Sequence, residues 1–159
     1  MSFDKELITE SFRRIEPNLK NFTNAFFDNV IILEPGMQKV FAHMDREQLK
    51  ASFIRALSIT INNLKNPEYL KYYLQGLGGN QIKYEVSETY FPIFEEAFIQ
   101  TLMLFHMNTW NPKLERAWRE CFYYVAEYIS DGMVDATLRR EFEDFLENKE
   151  RVDSFKKAA

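Results

Sequence analysis

The side chains of this 159-residue chain with the most reactive chemistry are few: two histidines, His43 and His106, and one cysteine, Cys121. Neutral imidazole and thiolate are both metal-ligand types. A lone cysteine excludes an internal disulfide, and Cys121 reads as a buried, inert thiol. Beside these stands a large mass of ring: 15 Phe, 8 Tyr and 2 Trp. In a chain of this size the rings either fill a large interior or line a site for something flat and apolar.

The charge pattern removes two classes of partner. The net charge is −4, and no basic cluster exceeds two residues, so nucleic acid is not an expected partner. No apolar run approaches the roughly 18 residues of a membrane span. Residues 1–10 are polar and carry no signal-peptide pattern, so the expected location is cytoplasmic.

What must position the rings is a set of helices, because apolar residues recur at three and four and nowhere alternate for long. A first helix is expected over Phe3–Glu16. A second, opened by Pro17, carries Leu19, Phe22, Phe26, Phe27, Val30 and Ile31, and stops before Glu34-Pro35-Gly36. A short turn leads to Val40 and Phe41. Asp45 caps the next helix, with Gln48 in capping-box position and a stripe of Leu49, Phe53, Ala56, Leu57, Thr60 and Leu64. Asn66-Pro67 starts a helix holding Tyr69, Leu70, Tyr73, Leu74 and Leu77, which Gly78-Gly79 should fray or end. A loop through Tyr84 and Val86 reaches Ser87, a cap for an apolar helix over 88–106 with Phe91, Phe94, Phe98, Leu102 and Phe105. Asn111-Pro112 opens the last core helix, with Leu114, Trp118, Cys121, Phe122, Val125 and Ile129. Asp131-Gly132 marks a break. Residues 134–159 then form a charged amphipathic tail with Leu138, Phe142, Phe145, Val152 and Phe155 on a sparse stripe. The expected organisation is all-α: a domain over 1–133 and a helical tail over 134–159.

Five segments, in order, resemble the globin superfamily, and most closely bacterial single-domain globins and the globin part of flavohaemoglobins. They are Pro17–Phe41, Asn63–Tyr69, Leu74–Val86, Tyr90–Phe98 and Ala117–Trp118. The resemblance covers about residues 5–133 and implies the globin fold, with about seven to eight helices. It places Phe41 on the phenylalanine that stacks on haem, Val86 on an apolar residue touching the ring, and Tyr90 on the tyrosine beside the proximal histidine. Trp118 falls on a packing tryptophan.

The same resemblance exposes a departure. The family's Leu-Gly-x-x-His-x-x-Tyr reads here Leu77-Gly78-Gly79-Asn80-Gln81-Ile82-Lys83-Tyr84, so Gln81 stands at the iron-ligand position. A neutral amide binds through a weakly basic oxygen and holds haem iron poorly. The glutamate that supports the proximal histidine falls on Met133, the distal tyrosine on Phe27, and the distal gate on Leu49, with Phe53 one turn on. His43 lies near the pocket mouth. His106 lies at the far end of its helix, and both read as solvated or locally bonded rather than as ligands.

A pocket of about 300 Å³ left empty would cost on the order of 7 kcal/mol, comparable to a whole domain's stability of about 5–15 kcal/mol. The space must therefore be filled, by collapse of Phe27, Phe53, Phe91, Phe94 and Phe98 or by a ligand. The expected function is a haem-independent globin-like sensor or interaction module, taking a non-covalent bilin or a fatty acid; haem ranks below these. The expected lining is Phe27, Phe41, His43, Leu49, Phe53, Leu77, Gln81, Tyr84, Val86, Tyr90 and Phe94, with no metal site. The alternative is an atypical haem- and gas-binding globin with non-standard axial ligation. An enzyme is not expected: the proximal network is broken and no reductase domain follows residue 133. The resemblance to globin-fold sensors implies a homodimer through the last core helices and tail, and a signalling partner.

Overall fold

The structure, a computed structural model, describes residues 2–81 and 87–158. Seven α-helices make it up among those residues. Asp4 accepts a hydrogen bond from the Leu7 amide (3.0 Å) and starts α1, Lys5–Ile15. Pro17 sits in a 3-10 turn, Glu16–Asn18, that joins α1 to α2, Leu19–Leu33. The short helix α3 is Met37–Ala42. Asp45 caps α4, Arg46–Asn62, by accepting from the Glu47 and Gln48 amides. Asn66 and Pro67 open α5, Pro67–Gln81. Ser87 accepts from the Thr89 amide, but what it caps is a 3-10 turn, Glu88–Tyr90, ahead of α6, Phe91–His106. Asn111 accepts from the Leu114 amide (2.9 Å) at the start of α7, Pro112–Ala158.

Aromatic rings fill the interior where α2 crosses α6. Phe22 meets Phe98 and Phe105 edge to face, at 5.7 and 5.3 Å, and Phe98 meets Trp118 of α7 at 5.4 Å. Such pairs add about 0.5–1.5 kcal/mol each beyond the area they bury. Phe98 thus belongs to the packed core, whereas Phe91 and Phe94 stay half-buried. On the outside of the same corner, Arg119 of α7 reaches Glu95 and Glu96 of α6 (3.3 Å each) and Glu115 (3.0 Å).

Two sequence expectations fail at glycines. Gly78-Gly79 does not end α5, which continues to Gln81, and Asp131-Gly132 does not break α7, which runs unbroken for 47 residues. The cause is a close contact between the two helices. A Cβ on Gly78 would collide with the carbonyl of Ile129, and one on Gly132 with the carbonyl of Gln75. None of the glycines has positive φ. These two are needed for the missing side chain rather than for conformational freedom.

Gly78→Ala and Gly132→Ala are each expected to lower stability by about 1–3 kcal/mol. The helix-propensity gain of about 1 kcal/mol is already outweighed by the collision with backbone. Gly76, with nothing within 4 Å of its would-be Cβ, is the control: Gly76→Ala should raise stability by about 0.5–1 kcal/mol. Urea-unfolding midpoints of the three variants check both signs.

Candidate cofactor crevice

The helix contacts are unevenly distributed. Among the described residues, α5 packs along α7, while α4 packs on α2 and α1; α4 and α5 do not form a packed pair. Apolar side chains on the surrounding helices are only half-covered, although their neighbours at helical spacing are fully buried. Phe27 on α2, Leu49, Phe53 and Leu57 on α4, Leu77 on α5, Phe94 on α6, and Val125 and Ile129 on α7 all pack against the core with part of their surface free. Adjacent Phe26, Leu74 and Cys121 are sealed. These are rings and aliphatic groups on five helices that touch the core and keep part of their surface exposed, the kind of surface a flat apolar group can cover.

One corner of that wall is built by α2, α3 and α4. Phe27 meets Phe41 edge to face at 5.3 Å and Phe53 at 5.8 Å, and Phe53 stacks on Phe26 at 4.6 Å. The structure therefore brings Phe27, Phe41 and Phe53 together. Tyr90 and Phe94 form a second, tilted pair at 6.4 Å. Leu77 sits one turn before Gln81, the last residue of α5. Tyr84, Val86 and the side chain of Gln81 lie outside the described residues. Leu57, Val125 and Ile129 were absent from the expected lining. Their helical spacing marked them only as core, and spacing does not distinguish a covered core position from an uncovered one.

The donor groups lie elsewhere. His43 is the C-terminal cap residue of α3 and is exposed. His106 is buried, with Nε2 at 2.6 Å from Ser11 Oγ, and Trp118 Nε1 donates to the same oxygen at 2.9 Å. The indole can only donate, so Ser11 Oγ accepts from Trp118, and the imidazole tautomer sets which way the proton lies in the Ser11–His106 bond. Burial, with Arg14 nearby, holds its pKa below the ordinary histidine value. This network ties α1, α6 and α7 and commits His106 to structure. Cys121 is buried, and burial pushes its thiol up to about 12, so it carries no thiolate for a metal. Among the described residues no helix is long and apolar enough to cross a membrane.

The family model described as Globin matches residues 24–129. Leghemoglobin-1 of Lupinus luteus is 22% identical over 146 residues, covering 82% of this chain and 93% of the relative. The anaerobic nitrite reductase HBII of Casuarina glauca is 22% identical over 133 residues, covering 73% and 81%. Among solved structures, a hexacoordinated heme protein from an anhydrobiotic tardigrade superposes with a TM-score of 0.72 at 18% identity, over 84% of this chain and 94% of that one. The fold is the all-α globin fold.

These findings correct the expected function. The relatives that match across most of both chains are, by name, a leghemoglobin, an anaerobic nitrite reductase and a heme protein. A haem-independent sensor holding a bilin or a fatty acid is overturned, and so is the ranking of haem below them. The error came from treating the ligand position as the whole site.

His106 yields a pH test. Its folded-state pKa is depressed, so the unfolded chain binds the proton first as the pH falls. The stability linked to neutral His106 is complete above the unfolded value of about 6.5 and is lost as the pH falls through the folded value. Urea midpoints measured from pH 7.5 down to 4.5 (about two units below the unfolded value) should decline. In His106→Gln that component of the slope should vanish.

Proposed function

We propose that this chain, which belongs to the globin family, binds haem in the crevice bounded by α4 and α5 and serves as a gas-binding globin with non-standard axial ligation. The observation that carries the reading is the half-covered apolar wall. Phe27, Phe53, Leu57, Leu77, Phe94 and Val125 offer rings and aliphatic surface of the kind a flat macrocycle needs. The names of the relatives support the same cofactor. When bound, haem would supply an iron able to take up a small diatomic gas.

The chain's own contribution is then to hold the ring by apolar contact and to keep water from it. Phe27 and Phe53 supply no hydrogen-bond donor on their side, so a bound gas would be stabilised by exclusion of water rather than by a polar contact. Gln81, the last residue of α5 and the one that the sequence resemblance sets at the iron-ligand position, would supply the donor. An amide oxygen is a weak donor to iron, and affinity would rest on the wall more than on the axial bond.

Reconstitution of the purified chain with haemin should give a stoichiometric Soret band. Gln81→His should tighten haem retention at least about tenfold, equivalent to about 1.4 kcal/mol, as read by transfer to an apo-myoglobin acceptor. Phe53→Glu, which sets a charge on the wall, should weaken it by a similar factor or more. Absence of a Soret band in both wild type and Gln81→His would overturn the reading.

A further inference from the structure

Beyond Ala136, which lies against Gly79 of α5, the described end of α7 stands outside the globin body. From 138 onward every position is exposed, yet one half of the helix circumference carries Val134, Leu138, Phe142, Phe145, Leu146, Val152 and Phe155. Phe142, Phe145 and Phe155 are 61, 60 and 77% exposed. These three rings alone leave on the order of 400 Å² uncovered, as much as the largest apolar patch of a typical monomer. Doubled across a two-fold axis and joined by four aliphatic side chains, the surface reaches the roughly 1,200 Å² at which specific, stable interfaces begin.

We propose that residues 134–158 form an antiparallel two-helix coiled coil with the same segment of a second copy of this chain, centred near Glu147. The heptad register and the charges select both the partner and its direction. Leu138, Phe145 and Val152 occupy one set of seam positions, and Phe142, Lys149 and Lys156 the other. A parallel pair would bring Lys149 against the partner's Lys149 and Lys156 against the partner's Lys156 inside the seam. The antiparallel register sets Phe142 against the partner's Val152, Lys149 against the partner's Phe145, and Lys156 against the partner's Leu138. Each lysine then lays its stem on an apolar side chain and carries its ammonium outward. In the same register Arg139 flanks the partner's Asp153 twice by symmetry, and Leu146 meets the partner's Leu146 on the axis. The two globin bodies lie at opposite ends of the coil, so neither obstructs the other.

Sedimentation equilibrium of the full chain at tens of micromolar should return twice the monomer mass. Phe142→Glu/Phe145→Glu should return the monomer mass, with unchanged tryptophan fluorescence showing that the globin body is intact. Under oxidation Leu146→Cys should form a disulfide-linked dimer and Phe142→Cys should not, because only antiparallel pairing places residue 146 beside itself. The buried, protonated Cys121 does not compete. A monomeric wild type, a dimer that survives the double glutamate variant, or cross-linking through 142 instead of 146 would overturn the proposal. So would co-sedimentation of monomer with anionic phospholipid vesicles, which would make the stripe a membrane surface. None of these outcomes touches the crevice residues, so haem binding stands or falls separately.

Discussion

Where α5 crosses α7, backbone meets backbone. Gly78 lies on the carbonyl of Ile129 and Gly132 on the carbonyl of Gln75, with no room for a methyl group at either place. Side chains normally hold helix axes about 8–10 Å apart. Removing one from each helix at the crossing lets α5 sink onto α7. Both helices then run on through residues that would otherwise end them, because packing outweighs the roughly 1 kcal/mol that each helical glycine costs. The long α7, and the tail it carries clear of the body, depend on this crossing.

Beside this crossing, α5 and α4 make little contact with each other. A helix drawn to α7 is not drawn to α4, and the side chains on either side of that boundary keep free surface although they touch the core. The rest of the interior is closed by ring-on-ring contacts around Phe98 and by the Ser11–His106–Trp118 network. That network absorbs the one buried histidine. The groups that could ligate a metal and the groups that form the apolar wall are therefore kept apart: the first are hydrogen-bonded, protonated or exposed, the second half-covered and uncharged.

Gln81 illustrates how one local departure led to a functional conclusion that the comparisons overturn. An amide in place of imidazole does weaken the expected bond to iron. It does not follow that the ring is lost, because a flat apolar group is held mainly by the surface it removes from water, at about 25 cal/mol per Å². Phe27 and Leu49 were read as further losses of polar function. They are equally apolar side chains packed against the core, and the Globin family model matches the segment that contains them.

Much of the fold was legible in the residues themselves. The caps at Asp45, Asn66, Ser87 and Asn111 and the three-and-four spacing of rings placed the helices, because capping and amphipathic periodicity are local properties of the chain. The order of segments from Pro17 to Trp118 indicated the globin fold, and the structure brings Phe27, Phe41 and Phe53 into contact. The sequence by itself therefore determined which helices form, which faces are apolar, and that imidazole is missing at residue 81. Only the tertiary structure decided that Gly78 and Gly132 are contact points rather than stops, that His106 is bound to Ser11, and that Leu57 and Val125 lie on an uncovered wall. Each of these depends on what a distant segment places opposite the residue, and a periodic stripe shows which side of a helix turns inward without showing what, if anything, meets it there.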